Sequence, residues 1–228
     1  MKSIFKEEVL YIKELPKTDF LKRSKHKPTH RVILVLLIWA PLDILLGFSS
    51  WELIAWAFPI IEEADTDIME NGLMEAIITA VIMAPLLEEP IFRLILKFSR
   101  GRWNVSIFLL SLTMFFFSKY LAIAFLIAWA TIGIKLNDRY FYSRFLFGFL
   151  KYKKHLFWII VLLFGFVHLS NFDLDMISYY HYPLAVLPQL IAGVIFGIVR
   201  IRFGFWYAVL IHATNNALAV FAIDYLGL

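Results

Sequence analysis

Apolar segments long enough to cross a bilayer recur along the whole chain, and this pattern limits the fold more than any other feature. A hydrocarbon core of about 30 Å needs roughly 20 apolar residues in one helix. Of the 228 residues, 61% are hydrophobic, against about 45–50% in a typical soluble domain. We therefore expect an all-α, polytopic membrane helical bundle. The predicted spans are 32–48, 73–96, two within 104–134, 156–172, 183–199 and 203–223.

The positive charges predict how these spans are oriented. Twenty of the 22 Lys and Arg residues fall in segments 1–31, 97–102, 135–155 and 200–202, and such residues concentrate on the cytoplasmic side of a membrane. Segment 104–134 as one helix would be about 46 Å long, too long for a single span. A hairpin that turns near Lys119 keeps all four basic segments on one side. The prediction is about seven transmembrane helices, with the amino terminus cytoplasmic and, in a bacterium, in the plasma or inner membrane.

The same distribution divides the chain and excludes several classes of protein. Residues 1–31 are predicted to be a basic cytoplasmic or interfacial segment, and 32–228 a membrane-embedded domain in which 104–155 forms an inserted hairpin and basic loop. Basic residues beside apolar segments suit the lipid bilayer and its headgroups, so no nucleic-acid partner is expected. The chain has no cysteine, which excludes a thiol protease, a disulfide framework and a thiolate metal site.

Polar side chains occur inside three predicted spans, where apolar ones would be less costly. A charged side chain at the bilayer centre costs about 2.5–3.5 kcal/mol on insertion scales, yet Glu88, Glu89 and Arg93 all lie in 73–96. At 1.5 Å per residue, Glu88, His168 and His212 fall at a similar depth, roughly 13–18 Å from the inner surface. We therefore predict that three helices contribute polar groups to one site.

Spacing separates the roles of the charged groups in 73–96. Glu89 and Arg93 are four residues apart, so they share a helical face and are expected to form an ion pair. Glu88 points about 100° away and is available to a different neighbour. Pro85 and Pro90 lack the backbone donor of a regular helix and predict a kink near the carboxylates. Asp43, in the first span, is expected to face the bundle.

The remaining polar groups predict water-based hydrolysis. A carboxylate can act as a general base towards water, and histidine can transfer protons or bind a metal ion. His212 and Asn216 are four residues apart and can address one bound group, to which the Asn216 amide would donate as an oxyanion forms. Asn171 and Asn215 are weaker candidates.

Three short motifs give the chain a resemblance to a known family. EEPIFR (88–93), FGFVH (164–168) and HATNN (212–216) resemble the EExxxR, FxxxH and HxxxN motifs of the CPBP family of intramembrane proteases, also called Abi or CAAX-protease-like. The resemblance covers about 73–223 and implies an intramembrane (metallo)endopeptidase acting on membrane-tethered or hydrophobic, CAAX-like peptides.

The resemblance also implies a role for each motif residue. Glu88 would activate water together with His168, and His212 with Asn216 would form the oxyanion site. Glu89 and Arg93 would support these groups. Zinc is a possible cofactor, held by Glu88, His168 and His212, and a metal-free carboxylate and histidine mechanism stays open.

Two further functions fit the same residues, and one departure from the family pattern affects substrate access. About 79 residues separate Glu89 from His168, more than in related proteins. A non-catalytic bacteriocin self-immunity or partner-binding protein would keep the fold without the reaction. A proton-coupled transporter would use Glu88 and the histidines as a relay.

Overall fold

The computed structural model describes residues 2–15, 21–66, 69–115 and 118–226, and within these ranges the secondary structure is helical, with no strand. The chain divides into two compact units, one of Met1–Pro85 with Val161–Leu228 and one of Leu86–Ile160. The predicted all-α class is confirmed. The helices of the first half are α1 (Lys2–Glu14), α2 (Pro28–Leu34), π1 (Val35–Trp39, π-helical), α3 (Ala40–Ala57), α4 (Pro59–Glu63), α5 (Leu73–Ala76), π2 (Ile77–Met83, π-helical) and α6 (Ala84–Arg93).

The second half is also helical, with two short 3-10 segments, His168–Asn171 and Tyr179–His181. Its α-helices are α7 (Arg100–Met114), α8 (Lys119–Lys135), α9 (Arg139–Val167), α10 (Tyr182–Ala185), α11 (Leu187–Arg202) and α12 (Phe205–Leu226).

Three helical stretches among the described residues are long and apolar enough to cross a membrane: Pro28–Ala57, Arg139–Asn171 and Phe205–Tyr225. A fourth results if Tyr179–Ala185 and Leu187–Arg202, bent by 45°, are taken together. The predicted count of about seven is therefore not confirmed. Stretch 73–93 is helical throughout, but it has too many charged residues to count among the helices apolar enough to cross a membrane.

The two helices predicted within 104–134 are present, and that both cross the membrane stays a prediction. Helices α7 and α8 pack against each other, and Ser118 caps α8 by accepting a hydrogen bond from the Leu121 N–H. They have 15 and 17 residues, about 22 and 26 Å at 1.5 Å per residue. A single 46 Å helix is thus avoided by a break close to Lys119.

In the first unit, the amino-terminal segment is attached to the end of α11 by a buried ion pair. The Arg202 guanidinium donates two hydrogen bonds of 2.6 Å to the Glu8 carboxylate, and Trp39 Nε1 donates a third of 3.0 Å. The Tyr11 ring lies 3.6 Å from the guanidinium carbon. Ser24 N–H donates to the Arg202 carbonyl at 2.8 Å. Residues of 1–31, predicted to be interfacial, therefore take part in the packing of the bundle.

Helix α12 is central to the first unit because it contacts α3, α11 and π2. Close approach of α9 and α11 depends on two glycines. A Cβ at Gly165 would lie 2.7 Å from Leu190 Cγ, and one at Gly193 would lie 3.1 Å from Phe164 Cδ1. A larger residue at Gly165 would displace the Leu190 side chain, and one at Gly193 would crowd the Phe164 ring.

Candidate active site

Helix α6 carries the acidic motif, and its two carboxylates differ in burial. Glu89 and Arg93 are both fully buried, with Arg93 Nε 3.7 Å from Glu89 Oε2. The ion pair predicted from their spacing is confirmed. Glu88, on another face of the helix, is half-buried. Of the two residues, Glu88 is thus the one that keeps exposed surface, although its Oε2 is buried.

The main departure from regular helical geometry lies before the motif, in π2. The Ala84 N–H donates to the Thr79 carbonyl, five residues back, as in a π-helix. In that register the Ala80 carbonyl would accept a hydrogen bond from the N–H of residue 85. Residue 85 is proline and has no N–H. Asn216 Nδ2 donates to this carbonyl at 2.7 Å. The Asn216 amide therefore compensates for the donor that Pro85 lacks.

His168 begins a 3-10 turn at the end of α9, and its ring orientation is fixed. Its Nδ1 lies 2.8 Å from the Phe164 carbonyl oxygen. A carbonyl can only accept, so Nδ1 carries the proton and, in the neutral ring, Nε2 carries the lone pair. The residues after the turn are held in place, since Thr66 N–H donates to the Asn171 carbonyl at 2.9 Å. His168 is thereby prepared to accept a proton, or bind a metal ion, through Nε2.

His212, on α12, is buried between aromatic rings. It stacks on Phe196, with ring centroids 4.8 Å apart, and meets Phe164 edge-on at 6.1 Å. The same Phe164 ring lies 4.8 Å from His168. Phe164 thus contacts both motif histidines, which brings them to one place in the first unit. The FGFVH motif contains Phe164, but the sequence analysis gave this residue no role of its own. Its position four residues before His168 was the signal for this role.

A further polar contact explains Asp43, which the sequence could only assign to the bundle interior. Asp43 is 4% exposed, and its carboxylate accepts a hydrogen bond from Asn215 Nδ2. Consecutive amides of α12 therefore bind two neighbours, Asn215 to α3 and Asn216 to π2. Asn215, a weaker candidate in the sequence, belongs to this contact, while Asn171 bonds through its backbone carbonyl to Thr66.

The six predicted residues are thus divided between the two units. His168, His212 and Asn216 belong to the first, and Glu88, Glu89 and Arg93 to the second. That all six form one site stays a prediction. Imidazole and carboxylate are suitable zinc ligands, but among the described residues no three His, Asp or Glu side chains are grouped to hold a metal ion. Zinc binding by Glu88, His168 and His212 likewise stays a prediction.

Comparison with known proteins places the chain in a family. No curated protein and no solved structure matches it. The family model described as "Type II CAAX prenyl endopeptidase Rce1-like" matches residues 70–218, a segment that contains all three motifs and their six residues. With its apolar helices, this match makes the chain an integral membrane protein. The chain belongs to the type II CAAX prenyl endopeptidase Rce1-like family.

Proposed function

We propose that this chain is an intramembrane endopeptidase that hydrolyses peptide bonds in membrane-tethered or hydrophobic, CAAX-like substrates by means of activated water. The observation that carries the proposal is the family match over 70–218, together with the contacts of both motif histidines with Phe164. In a source that prenylates proteins, the substrate class is a carboxyl-terminal CAAX tail. The amino terminus is proposed to be cytoplasmic, with the site accessible from that side.

In the proposed reaction, Glu88 and His168 prepare the nucleophile. The Glu88 carboxylate accepts a proton from a water molecule, which His168 orients through the lone pair on Nε2. The water oxygen then attacks the carbonyl carbon of the scissile bond, and the carbonyl oxygen becomes an oxyanion. Glu88, now protonated, donates to the leaving nitrogen as the C–N bond breaks. One carboxyl group therefore serves as base and then as acid.

Asn216 and His212 are proposed to stabilise the oxyanion. The side-chain nitrogen of Asn216 has two hydrogens. One donates to the Ala80 carbonyl, which fixes the direction of the amide and leaves the other for the substrate. The rings of Phe164 and Phe196 hold His212 in a fixed orientation. Donors that are oriented before the substrate arrives need little reorganisation in the transition state.

Glu89 and Arg93 are proposed to support Glu88 rather than to react. Both are fully buried, and their ion pair spans one turn of the helix that carries Glu88. Zinc is a separate proposal. Bound by Glu88, His168 and His212, it would polarise the attacking water. Metal analysis of the purified protein, with activity measured before and after chelation, tests it.

Cleavage by the purified protein in lipid nanodiscs tests the main proposal. The substrates are a farnesylated CAAX peptide, its unprenylated form and a set of hydrophobic peptides, with products identified by mass spectrometry. Glu88→Gln and His168→Ala should each reduce cleavage by at least about 100-fold, the lower range for loss of a general base. Thermal unfolding of each variant separates lost chemistry from lost folding.

Two exposed residues supply matched controls. Glu75→Gln removes a carboxylate from α5, and His155→Ala removes an imidazole from α9; both side chains are exposed. Both controls should cleave like the wild type. Equal cleavage by the wild type and both motif variants would contradict the catalytic assignment. If no peptide is cleaved while protection from a bacteriocin or proton-coupled uptake survives in the variants, one of the non-enzymatic functions is correct.

A further inference from the structure

The first half of helix α9 has two dissimilar faces. One face packs within the second unit, where the Phe98 ring lies 5.7 Å from Tyr142 and 5.3 Å from both Phe145 and Phe149. At 100° per residue, Tyr140, Arg144, Phe147 and Lys151 lie on the opposite side. We call these four residues, with Gly148, the outer face of α9.

The outer face is both aromatic and basic. Tyr140 and Phe147 are each 70% exposed, and they lie along one line of the helix. Arg144 and Lys151 lie along a second line parallel to the first, and the two residues are two turns, or about 10.5 Å, apart along the helix axis. The guanidinium of Arg144 lies 5.6 Å from the Tyr140 ring centre and donates to the Tyr140 hydroxyl at 3.3 Å. The phenol therefore helps to position the Arg144 guanidinium.

Gly148 creates a depression between the two bases. It is one turn from Arg144 and one from Lys151, and a Cβ built there would meet no atom within 4 Å. The residues of the outer face line an open pocket of about 440 Å³. A phosphate placed in this depression could be approached by a basic side chain from each side, while Phe147 offers an apolar surface next to it.

We propose that the outer face of α9 binds the headgroup phosphate of an anionic phospholipid. Charge is the first argument: residues 135–155 hold six Lys and Arg against one acid, and basic clusters beside membrane helices attract anionic lipids. Position is the second, since the outer face lies in the basic first part of the helical stretch Arg139–Asn171, before the non-helical backbone of Tyr152 (φ −103°, ψ 15°) and the apolar residues that follow it. The exposed Tyr140 suits the depth of lipid headgroups, and the exposed Phe147 adds apolar surface beside it. A soluble phosphate would use the bases but not the aromatic surface.

The experiment counts lipids bound to the purified, delipidated full chain by native mass spectrometry. Dioleoylphosphatidylglycerol is titrated against the zwitterionic dioleoylphosphatidylcholine. The wild type should bind the anionic lipid more tightly. Arg144→Gln/Lys151→Gln should weaken its binding about 25-fold, at roughly fivefold for each base, and leave phosphatidylcholine binding unchanged. Lys22→Gln/Lys25→Gln removes two exposed charges elsewhere and should bind like the wild type.

A second variant tests the depression without changing any charge. Gly148→Leu should weaken phosphatidylglycerol binding about tenfold, whereas Gly101→Leu, at another open glycine of the same unit, should have no effect. The proposal is overturned if Arg144→Gln/Lys151→Gln and its control Lys22→Gln/Lys25→Gln weaken phosphatidylglycerol binding equally. It is also overturned if Gly148→Leu binds this lipid like the wild type, or if inorganic phosphate displaces the lipid at an equal concentration. None of these outcomes depends on peptidase activity.

Discussion

Two carboxylate–guanidinium pairs are buried in this chain, and they differ in what they connect. Glu8 and Arg202 are 194 positions apart and share two hydrogen bonds of 2.6 Å. Glu89 and Arg93 are four positions apart, with Arg93 Nε 3.7 Å from Glu89 Oε2. The first pair joins the amino-terminal helix to the end of α11, and the second orients two side chains within a single helix. Burial alone therefore does not define the role of an ion pair. The role depends on how far apart in the sequence the two paired residues are.

The largest effect is expected from Arg202→Met. It would leave the Glu8 carboxylate, which is fully buried, without its bidentate partner, and removing one member of a buried pair costs about 3–5 kcal/mol. The free energy of unfolding in mixed micelles measures the loss. Arg23→Met, at an exposed position, is the control and should change stability by less than about 0.5 kcal/mol. Equal losses in the two variants would mean that the Glu8–Arg202 pair does not hold the amino-terminal helix.

The second-largest effect is expected in double-mutant cycles, which should give different coupling energies for the two ion pairs. Neutralising Glu8 and Arg202 to Gln, singly and together, should give a coupling energy of about 2–3 kcal/mol, the upper range for contacting residues. The same cycle on Glu89 and Arg93 should give about 1 kcal/mol, because the longer separation weakens the charge-assisted hydrogen bonding. A larger coupling for the second pair would reverse the comparison.

The two pairs also show which contacts a sequence can predict. Glu89–Arg93 was predicted because i,i+4 spacing fixes the geometry before the fold is known. Glu8–Arg202 was not, since no local pattern connects residues 194 positions apart. The two helices of 104–134 were predictable from length and charge, but the span count was not. Likewise the three motifs could be found in the sequence, while the Asn216–Ala80 contact depends on a π-helical register that no spacing rule specifies.

A smaller effect is expected from an uncharged contact, that of Asn216 with the Ala80 carbonyl. Asn216→Leu should lower the free energy of unfolding by about 1–1.5 kcal/mol, since it removes one hydrogen bond from a carbonyl that Pro85 cannot serve. Pro85→Ala supplies a backbone N–H at that position. The double variant Pro85→Ala/Asn216→Leu should therefore recover part of the stability. Cleavage should not recover with it, because the proposed oxyanion donor is still missing.

The double variant thus tests two roles of Asn216 separately: its hydrogen bond to the Ala80 carbonyl, measured by stability, and its proposed oxyanion contact, measured by cleavage. Recovery of cleavage together with stability in the double variant would mean that Asn216 acts only by positioning π2. Absence of any recovery in stability would mean that Pro85 is not the reason for the contact.

The smallest effect is expected from Glu7, the exposed neighbour of Glu8. His26 Nε2 lies 3.8 Å from both carboxylates, but the Glu7 side chain is 64% exposed and that of Glu8 is fully buried. Solvent screens an exposed pair, so Glu7→Gln should change the free energy of unfolding by less than about 0.5 kcal/mol. Raising the salt from 0.05 to 0.5 M should remove this contribution and leave most of the Glu8–Arg202 coupling. If salt reduced both alike, the Glu8–Arg202 pair would have to be accessible to solvent, and its hold on the amino-terminal helix would be as weak as that of a surface contact.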